Sequence, residues 1–126
     1  MSTTYNCLAI DDDPLFLRTL DIYIESLDWL NLVATYNNPI QGAKAIFDVN
    51  PDILFLDMEM PYVDGNYLVD WIGPRLKKMD KPPKIIIISS LNFTPEEKVK
   101  GVAGYINKGH VTNAERLGKL IREIID

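Results

Sequence analysis

The sequence has little of what would tie a protein to a membrane, a disulfide framework or a nucleic acid. Its apolar runs are far shorter than the roughly 20 residues that span a bilayer. The single cysteine, Cys7, can form neither an internal disulfide nor a thiolate metal site, and we interpret it as a core residue. A formal net charge of −5 argues against direct nucleic-acid binding, for which a basic face is expected.

Histidine is almost absent as well. His110 is the only one, which excludes histidine metal clusters and catalytic histidine dyads. We expect His110 to lie in a loop, and this position would also exclude a histidine-phosphotransfer protein. Residues 1–5 have neither the basic nor the apolar region of a signal peptide. We therefore expect a cytoplasmic protein that does not insert into a membrane.

The rest of the composition is that of an ordinary globular protein, with 47% apolar and 25% charged residues. A chain of 126 residues fits one domain, and we assign residues 1–126 to it. Short β-branched runs alternate with amphipathic stretches, which is typical of βαβ units and predicts an α/β fold with a parallel sheet. The predicted strands are residues 7–10, 32–36, 53–57, 85–89 and 105–106, with 32–36 at an edge.

Capping residues predict where the helices begin. Gly73-Pro74 interrupts the third helix and predicts a kink or an early end, because proline lacks the backbone donor. The fourth helix is short, with room for barely two turns before Val102. The predicted helix starts are Asp13-Pro14, Asn38-Pro39, the vicinity of Asp64, Thr94, and a capping box formed by Thr112 and Glu115.

Charged residues cluster where the predicted strands end. Asp11, Asp12 and Asp13 follow the first strand, Asp57 ends the third, and Lys108 comes just after the fifth. Because the carboxyl ends of parallel strands lie side by side, these residues should converge on one crevice. Neighbouring carboxylates repel each other unless a cation or a proton is present. Since oxygen ligands and phosphate suit Mg²⁺, the sequence predicts a magnesium and phosphoryl site.

Four fragments at these strand ends resemble the receiver domain of two-component response regulators, and the resemblance covers nearly the whole chain. Each fragment alone would occur by chance, but four in order are a specific signal. The fold that the resemblance implies is a flavodoxin-like, doubly wound, five-stranded parallel sheet of order 2-1-3-4-5, with helices on both faces and a shortened fourth helix. The fragments are Ile10-Asp11-Asp12-Asp13-Pro14, Leu56-Asp57-Met58-Glu59-Met60-Pro61 with Asp64-Gly65, Ile88-Ser89-Ser90, and Gly104-Tyr105-Ile106-Asn107-Lys108.

The resemblance implies that Asp57 accepts a phosphoryl group as an acyl phosphate, from a histidine kinase or a phosphotransfer protein. It also implies a Mg²⁺ site that includes Asp57. Asp12 would bind the ion directly, Asp11 through water, and Glu59 through its backbone carbonyl. Such a domain relays the signal to an effector domain or a downstream protein and turns over no external substrate.

Three further residues receive roles from the same resemblance. Lys108 would supply a positive charge to the phosphoryl oxygens. Ser89 would donate a hydroxyl hydrogen bond to the group once it arrives, although a plain hydroxyl at a strand end is the simpler interpretation. Tyr105 would be a mobile switch residue, with ordinary packing as the alternative.

Asp13 is interpreted as a helix cap, because three consecutive acidic residues cannot all face one ion.

The sequence departs from the family pattern in two places. Gly109 follows Lys108 where the family usually has a proline, which predicts a different and looser turn after the fifth strand. The stretch between Ser89 and Lys108 is a few residues short, which is why the fourth helix is expected to be brief.

Two other functions use related chemistry. A small aspartate-nucleophile phosphatase also places an aspartate at a strand end with magnesium. The motif of such enzymes is Asp-x-Asp after the first strand, whereas this chain has Asp57-Met58-Glu59. A flavodoxin-like mononucleotide binder would need a phosphate loop after the first strand. The three carboxylates found there would repel a phosphate.

Overall fold

The sheet has the predicted topology. A computed structural model describes residues 4–59, 65–91 and 101–126, with only the backbone for residues 65–67. Five parallel strands lie in the order β2-β1-β3-β4-β5, which confirms the predicted fold class and the edge position of the second strand. The strands are β1 (Tyr5–Ile10), β2 (Leu30–Tyr36), β3 (Ile53–Asp57), β4 (Lys84–Ser89) and β5 (Gly104–Asn107).

Four α-helices lie within the described ranges. The caps of the first two are those predicted, since the side chain of Asp13 accepts the N–H of Leu15 and that of Asn38 accepts the N–H of Ile40. The predicted short helix that starts at Thr94 lies outside the described residues. In these ranges we find no helix with the length and apolarity that crossing a membrane requires. The helices are α1 (Pro14–Glu25), α2 (Pro39–Val49), α3 (Gly65–Leu76) and α4 (Ala114–Ile125).

The core has two layers, one on each face of the sheet. Successive side chains of a strand point to opposite faces, so Phe55 packs in the layer with α1 and α4, while Leu54 packs in the layer with α2 and α3. Every residue of β3 is buried, which explains its uninterrupted apolar sequence. Cys7 is fully buried in the first layer, as predicted, and burial raises the pKa of its thiol to about 12.

The early end predicted for the third helix is wrong, because α3 continues through Gly73-Pro74 and ends at Leu76. Proline costs one helical donor there, but the apolar face continues beyond it. Ile72 and Leu76 are both buried against the sheet. The packing of Leu76 therefore holds the last turn in place despite the lost hydrogen bond.

The capping box predicted at Thr112 is one residue out of position. The N-cap of α4 is Asn113, whose side-chain oxygen accepts the N–H of Arg116 at 2.7 Å. Asparagine caps helices as well as serine or threonine does. Glu115 consequently falls one position too early in the helix to complete a capping box.

The turn after β5 is hydrogen-bonded rather than loose. Lys108–His110 form a 3₁₀ turn in which the side-chain oxygen of Asn107 accepts the N–H of Gly109 at 2.7 Å. Proline has no such N–H to donate. Asn107 and Gly109 therefore give the chain a compact turn of their own, and His110 lies in this 3₁₀ turn between β5 and α4 rather than in an irregular loop.

Candidate functional site

The strand register brings the predicted site residues to one edge of the sheet. Ile10 pairs with Leu56, so Asp11 emerges level with Asp57 at the end of β3. Asp57 in turn pairs with Ile88, the residue before Ser89. Ser89 pairs with Asn107, which places Lys108 just beyond it. Residues from four strand ends thus meet in one crevice, as parallel pairing predicts.

Three carboxylates lie close enough to share a cation. Asp11, Asp12 and Asp57 each offer an oxygen within 4.8 Å of the others. Asp11 and Asp57 are buried, at 3% and 2% exposure. The buried Oδ2 of Asp11 pairs with the ammonium of Lys108 at 2.8 Å. Three clustered carboxylates beside one ammonium leave an excess of negative charge, and an all-oxygen donor set of this kind fits a hard divalent cation.

Asp13 has a different role from its two neighbours. Its side chain accepts the N–H of Leu15 at 3.0 Å, and its own N–H donates to Asp11 Oδ1 at 2.9 Å. It therefore caps α1, as predicted, and orients the Asp11 carboxylate through its backbone.

Lys108 is the positive charge in this crevice. Its Nζ lies 2.8 Å from Asp11 Oδ2, 3.8 Å from Asp57 Oδ2 and 4.7 Å from the centre of the Phe16 ring. Burial alone would lower the pKa of Lys108, but the Asp11 carboxylate outweighs burial, and the net pKa is raised. The side chain is therefore held as an ammonium. Nothing in the sequence singles out Phe16 as its neighbour.

The carboxyl of Asp57 titrates well above its ordinary range. Its pKa is raised from 3.8 to about 7, first by burial and then by the charge of Asp11. The N–H of Glu59, which donates to Asp57 Oδ1 at 3.0 Å, and the charge of Lys108 both act in the opposite direction. A bound cation would favour the ionised form, which is the nucleophilic one.

The side chain of Glu59 makes a contact that the sequence did not predict. Ser89, which is 1% exposed, donates its hydroxyl to Glu59 Oε1 at 2.6 Å. The Ser90 hydroxyl donates to the same carboxylate, at 3.1 Å from Oε1 and 3.2 Å from Oε2. The bond from Ser89 is the main reason that the pKa of Glu59 is lowered. The sequence drew attention only to the backbone carbonyl of Glu59, since motif position says nothing about where its side chain points.

Tyr105 lies on β5 opposite Ile87 and is partly buried against the layer that contains α2 and α3. This position agrees with the packing alternative and is compatible with a side chain that changes conformation. Its switch role therefore stays a prediction.

Comparison with known proteins identifies the family. Residues 7–122 match the sequence model of the response regulator receiver domain. The chain belongs to this family. The receiver domain also superposes on solved relatives at 20% and 22% identity, which supports the shared fold alone. These are the signal receiver domain of the putative response regulator NarL from Mycobacterium tuberculosis, with a TM-score of 0.79 over 96% of this chain and 95% of that one, and the response regulator domain of Thermotoga maritima CheB, with a TM-score of 0.77 over 96% of each chain.

Curated relatives are longer than this receiver domain. The transcriptional regulatory protein BtsR of Escherichia coli is 31% identical over 67 residues, which are 53% of this chain and 28% of BtsR. A protein-glutamate methylesterase/protein-glutamine glutaminase of Albidiferax ferrireducens is 28% identical over 124 residues, which are 94% of this chain and 32% of that protein. The matched part of each relative is thus about a third of its length or less.

Proposed function

We propose that the receiver domain accepts a phosphoryl group on Asp57 from a histidine kinase or a phosphotransfer protein, in a reaction that requires Mg²⁺. The observation that carries this proposal is the position of Asp57 in the crevice. Its buried carboxylate ends the central strand, with two further carboxylates within 4.8 Å and the Lys108 ammonium at 3.8 Å. A nucleophile, a cation-binding set and a fixed positive charge are the parts that phosphoryl transfer needs.

In the proposed reaction, an oxygen of the Asp57 carboxylate attacks the phosphorus of the phosphohistidine donor. The new phosphorus–oxygen bond forms as the phosphorus–nitrogen bond breaks, and the bonding electron pair stays on the imidazole nitrogen, which takes up a proton. The product on this chain is an acyl phosphate. Lys108 offsets the negative charge on the transferred group.

The proposed magnesium ligands are the Asp12 and Asp57 carboxylates, the backbone carbonyl of Glu59, and Asp11 through a water molecule. When bound, Mg²⁺ neutralises charge on the phosphoryl oxygens. Asp11 would also keep Lys108 charged until the group arrives, because its carboxylate raises the pKa of that lysine.

The proposed output is a conformational switch that involves Ser89 and Tyr105 and acts on a partner protein or an effector domain. We propose that residues 1–126 form one receiver unit that acts in the cytoplasm, as the family resemblance suggests, and that it turns over no external substrate. The phosphatase alternative would need Glu59 as a proton donor. Its carboxylate instead accepts two hydroxyls and has a lowered pKa, which disfavours that role.

The acceptor assignment can be tested with acetyl phosphate and Mg²⁺, followed by intact-protein mass spectrometry. We expect the wild-type protein to gain the mass of one phosphoryl group and Asp57→Asn to gain none, because an amide cannot act as the nucleophile. Asp48→Asn, which alters an exposed carboxylate on α2, is the matched control and should label like the wild type. Labelling of Asp57→Asn at the wild-type level would show that another residue is the acceptor.

A further inference from the structure

The donor hydrogen of the Ser89 hydroxyl is already engaged without a phosphoryl group. It donates its single hydrogen to Glu59 Oε1 at 2.6 Å and accepts the N–H of Leu91 at 3.1 Å. A serine hydroxyl has one donor hydrogen, so it cannot make this bond to Glu59 and an equally strong bond to a group on Asp57. At 1% exposure, the side chain also has little contact with water that could replace a lost partner.

We propose that the Glu59 carboxylate competes with the incoming phosphoryl group for the Ser89 hydroxyl, and so sets how readily the receiver domain leaves its resting arrangement. This inference rests on the proposed function, since it assigns Glu59 a regulatory role at the same site. The competitor belongs to the chain itself and lies two residues from the acceptor.

Charge gives the exchange its direction. Glu59 is bound to the acceptor through its backbone, because its N–H donates to Asp57 Oδ1 at 3.0 Å. A phosphoryl group on Asp57 adds about 1.5 to 2 negative charges if it titrates like other side-chain phosphates. Like charges repel each other, and the Glu59 carboxylate and the phosphoryl group would both lie within reach of the Ser89 hydroxyl, so the added charge favours movement of the carboxylate away from the crevice. The Ser89 hydrogen then becomes free for the phosphoryl oxygens.

Ser90 gives the displaced carboxylate a partner nearer to solvent. Its exposed hydroxyl lies at nearly equal distances from the two Glu59 oxygens, 3.1 and 3.2 Å. Glu59 can therefore give up Ser89 and keep Ser90. The competition consequently weakens phosphoryl binding without abolishing it.

The experiment measures the affinity for beryllofluoride, a phosphoryl mimic, at saturating Mg²⁺ by NMR titration. The test variant is Glu59→Ala, which keeps the backbone carbonyl that is proposed to bind magnesium. We expect Glu59→Ala to raise the affinity roughly tenfold, the size of effect that one hydrogen bond to a charged group has. Asp13→Asn is the control, because it also removes one negative charge near the crevice but keeps a residue that can cap α1.

A double-mutant cycle separates competition for the hydroxyl from simple charge repulsion. If Glu59 acts through Ser89, Glu59→Ala should change the affinity by less than about threefold in a Ser89→Ala background. In the ligand-free protein, Glu59→Ala should also shift the amide resonance of Leu91, which donates to Ser89, more than Asp13→Asn does.

The outcomes distinguish this inference from the proposed function. An equal gain in affinity with and without Ser89, or a gain no larger than that of Asp13→Asn, overturns the competition while leaving phosphoryl acceptance intact. If the wild type and all variants bind no beryllofluoride and take no label from acetyl phosphate, the proposed function itself fails and the competition fails with it. A gain confined to proteins that contain Ser89 supports both.

Discussion

The ammonium of Lys108 lies 2.8 Å from Asp11 Oδ2 but 3.8 Å from Asp57 Oδ2, so in this structure it pairs mainly with Asp11 rather than with the proposed acceptor. Asp11 is almost fully buried, and removal of the lysine would leave its carboxylate without that charge. Removing one partner of a buried ion pair is costly for this reason. Lys108 therefore supports the fold at this edge as well as the proposed chemistry.

We predict that Lys108→Met lowers the free energy of unfolding at pH 7 by about 3 kcal/mol, because it leaves the buried Asp11 carboxylate uncompensated. In an Asp11→Asn background the same change should cost less than about 1 kcal/mol. Urea unfolding followed by circular dichroism measures both values, in the absence of magnesium.

The matched control for this cycle is Lys81→Met. Lys81 forms an ion pair with Asp52 at 3.3 Å, but its side chain is 86% exposed. The change should therefore alter the free energy of unfolding by less than about 0.5 kcal/mol. If Lys108→Met lowers the free energy of unfolding equally in the wild-type and Asp11→Asn backgrounds, the ion pair between Lys108 and Asp11 contributes nothing beyond packing.

A second prediction separates the consecutive aspartates. Asp12→Ala should weaken Mg²⁺ binding at least about tenfold, because it removes a proposed direct ligand. Even the loss of a residue that only orients a metal ligand can lower metal affinity by about that factor. Asp13→Asn should weaken it far less, since Asp13 caps α1. The measurement is a magnesium titration followed by the amide resonances of Asp57 and Glu59. Similar losses in the two variants would remove the distinction between ligand and cap.

The parts of the site that could be predicted from the sequence depend on backbone topology. β3 (Ile53–Asp57) has the predicted bounds, because a strand buried on both faces is uninterrupted in sequence and ends abruptly at a charge. Once the strands are parallel, the meeting of Asp11, Asp57 and Lys108 follows from their positions at strand ends. The parallel sheet and the carboxylate cluster could therefore be predicted from the residues, and the strand order from the family resemblance.

The parts that could not be predicted depend on where individual side chains point. The bond between Glu59, just after β3, and Ser89, the last residue of β4, joins positions 30 residues apart, and nothing in either motif fixes the Glu59 rotamer. The continuation of α3 through Pro74 depends on tertiary packing of Leu76, which outweighs a local preference. Likewise, the cap at Asn113 had an equally suitable competitor one residue earlier.

The last prediction concerns the pH dependence of stability in magnesium-free protein. The pKa of Asp57 is raised in the folded state, from 3.8 to about 7, mainly by burial. A raised pKa means that the neutral carboxyl favours folding, so its contribution is fully present below about pH 4 and is lost as the pH rises through 7. The asparagine side chain in Asp57→Asn is neutral at every pH, so its contribution to the free energy of unfolding does not fall over this range.

We therefore expect the free energy of unfolding of Asp57→Asn, relative to wild type, to increase between pH 4 and pH 8, by at most about 4 kcal/mol for a shift of this size. Urea unfolding in the presence of EDTA at several pH values gives the comparison, with Asp48→Asn as a control that should show no such increase. Mg²⁺ should reduce the difference at pH 8, because a cation stabilises the ionised wild-type carboxylate. If the free energies of unfolding of Asp57→Asn and wild type differ by the same amount at pH 4 and pH 8, burial does not raise the pKa of Asp57 and the crevice does not oppose its ionisation.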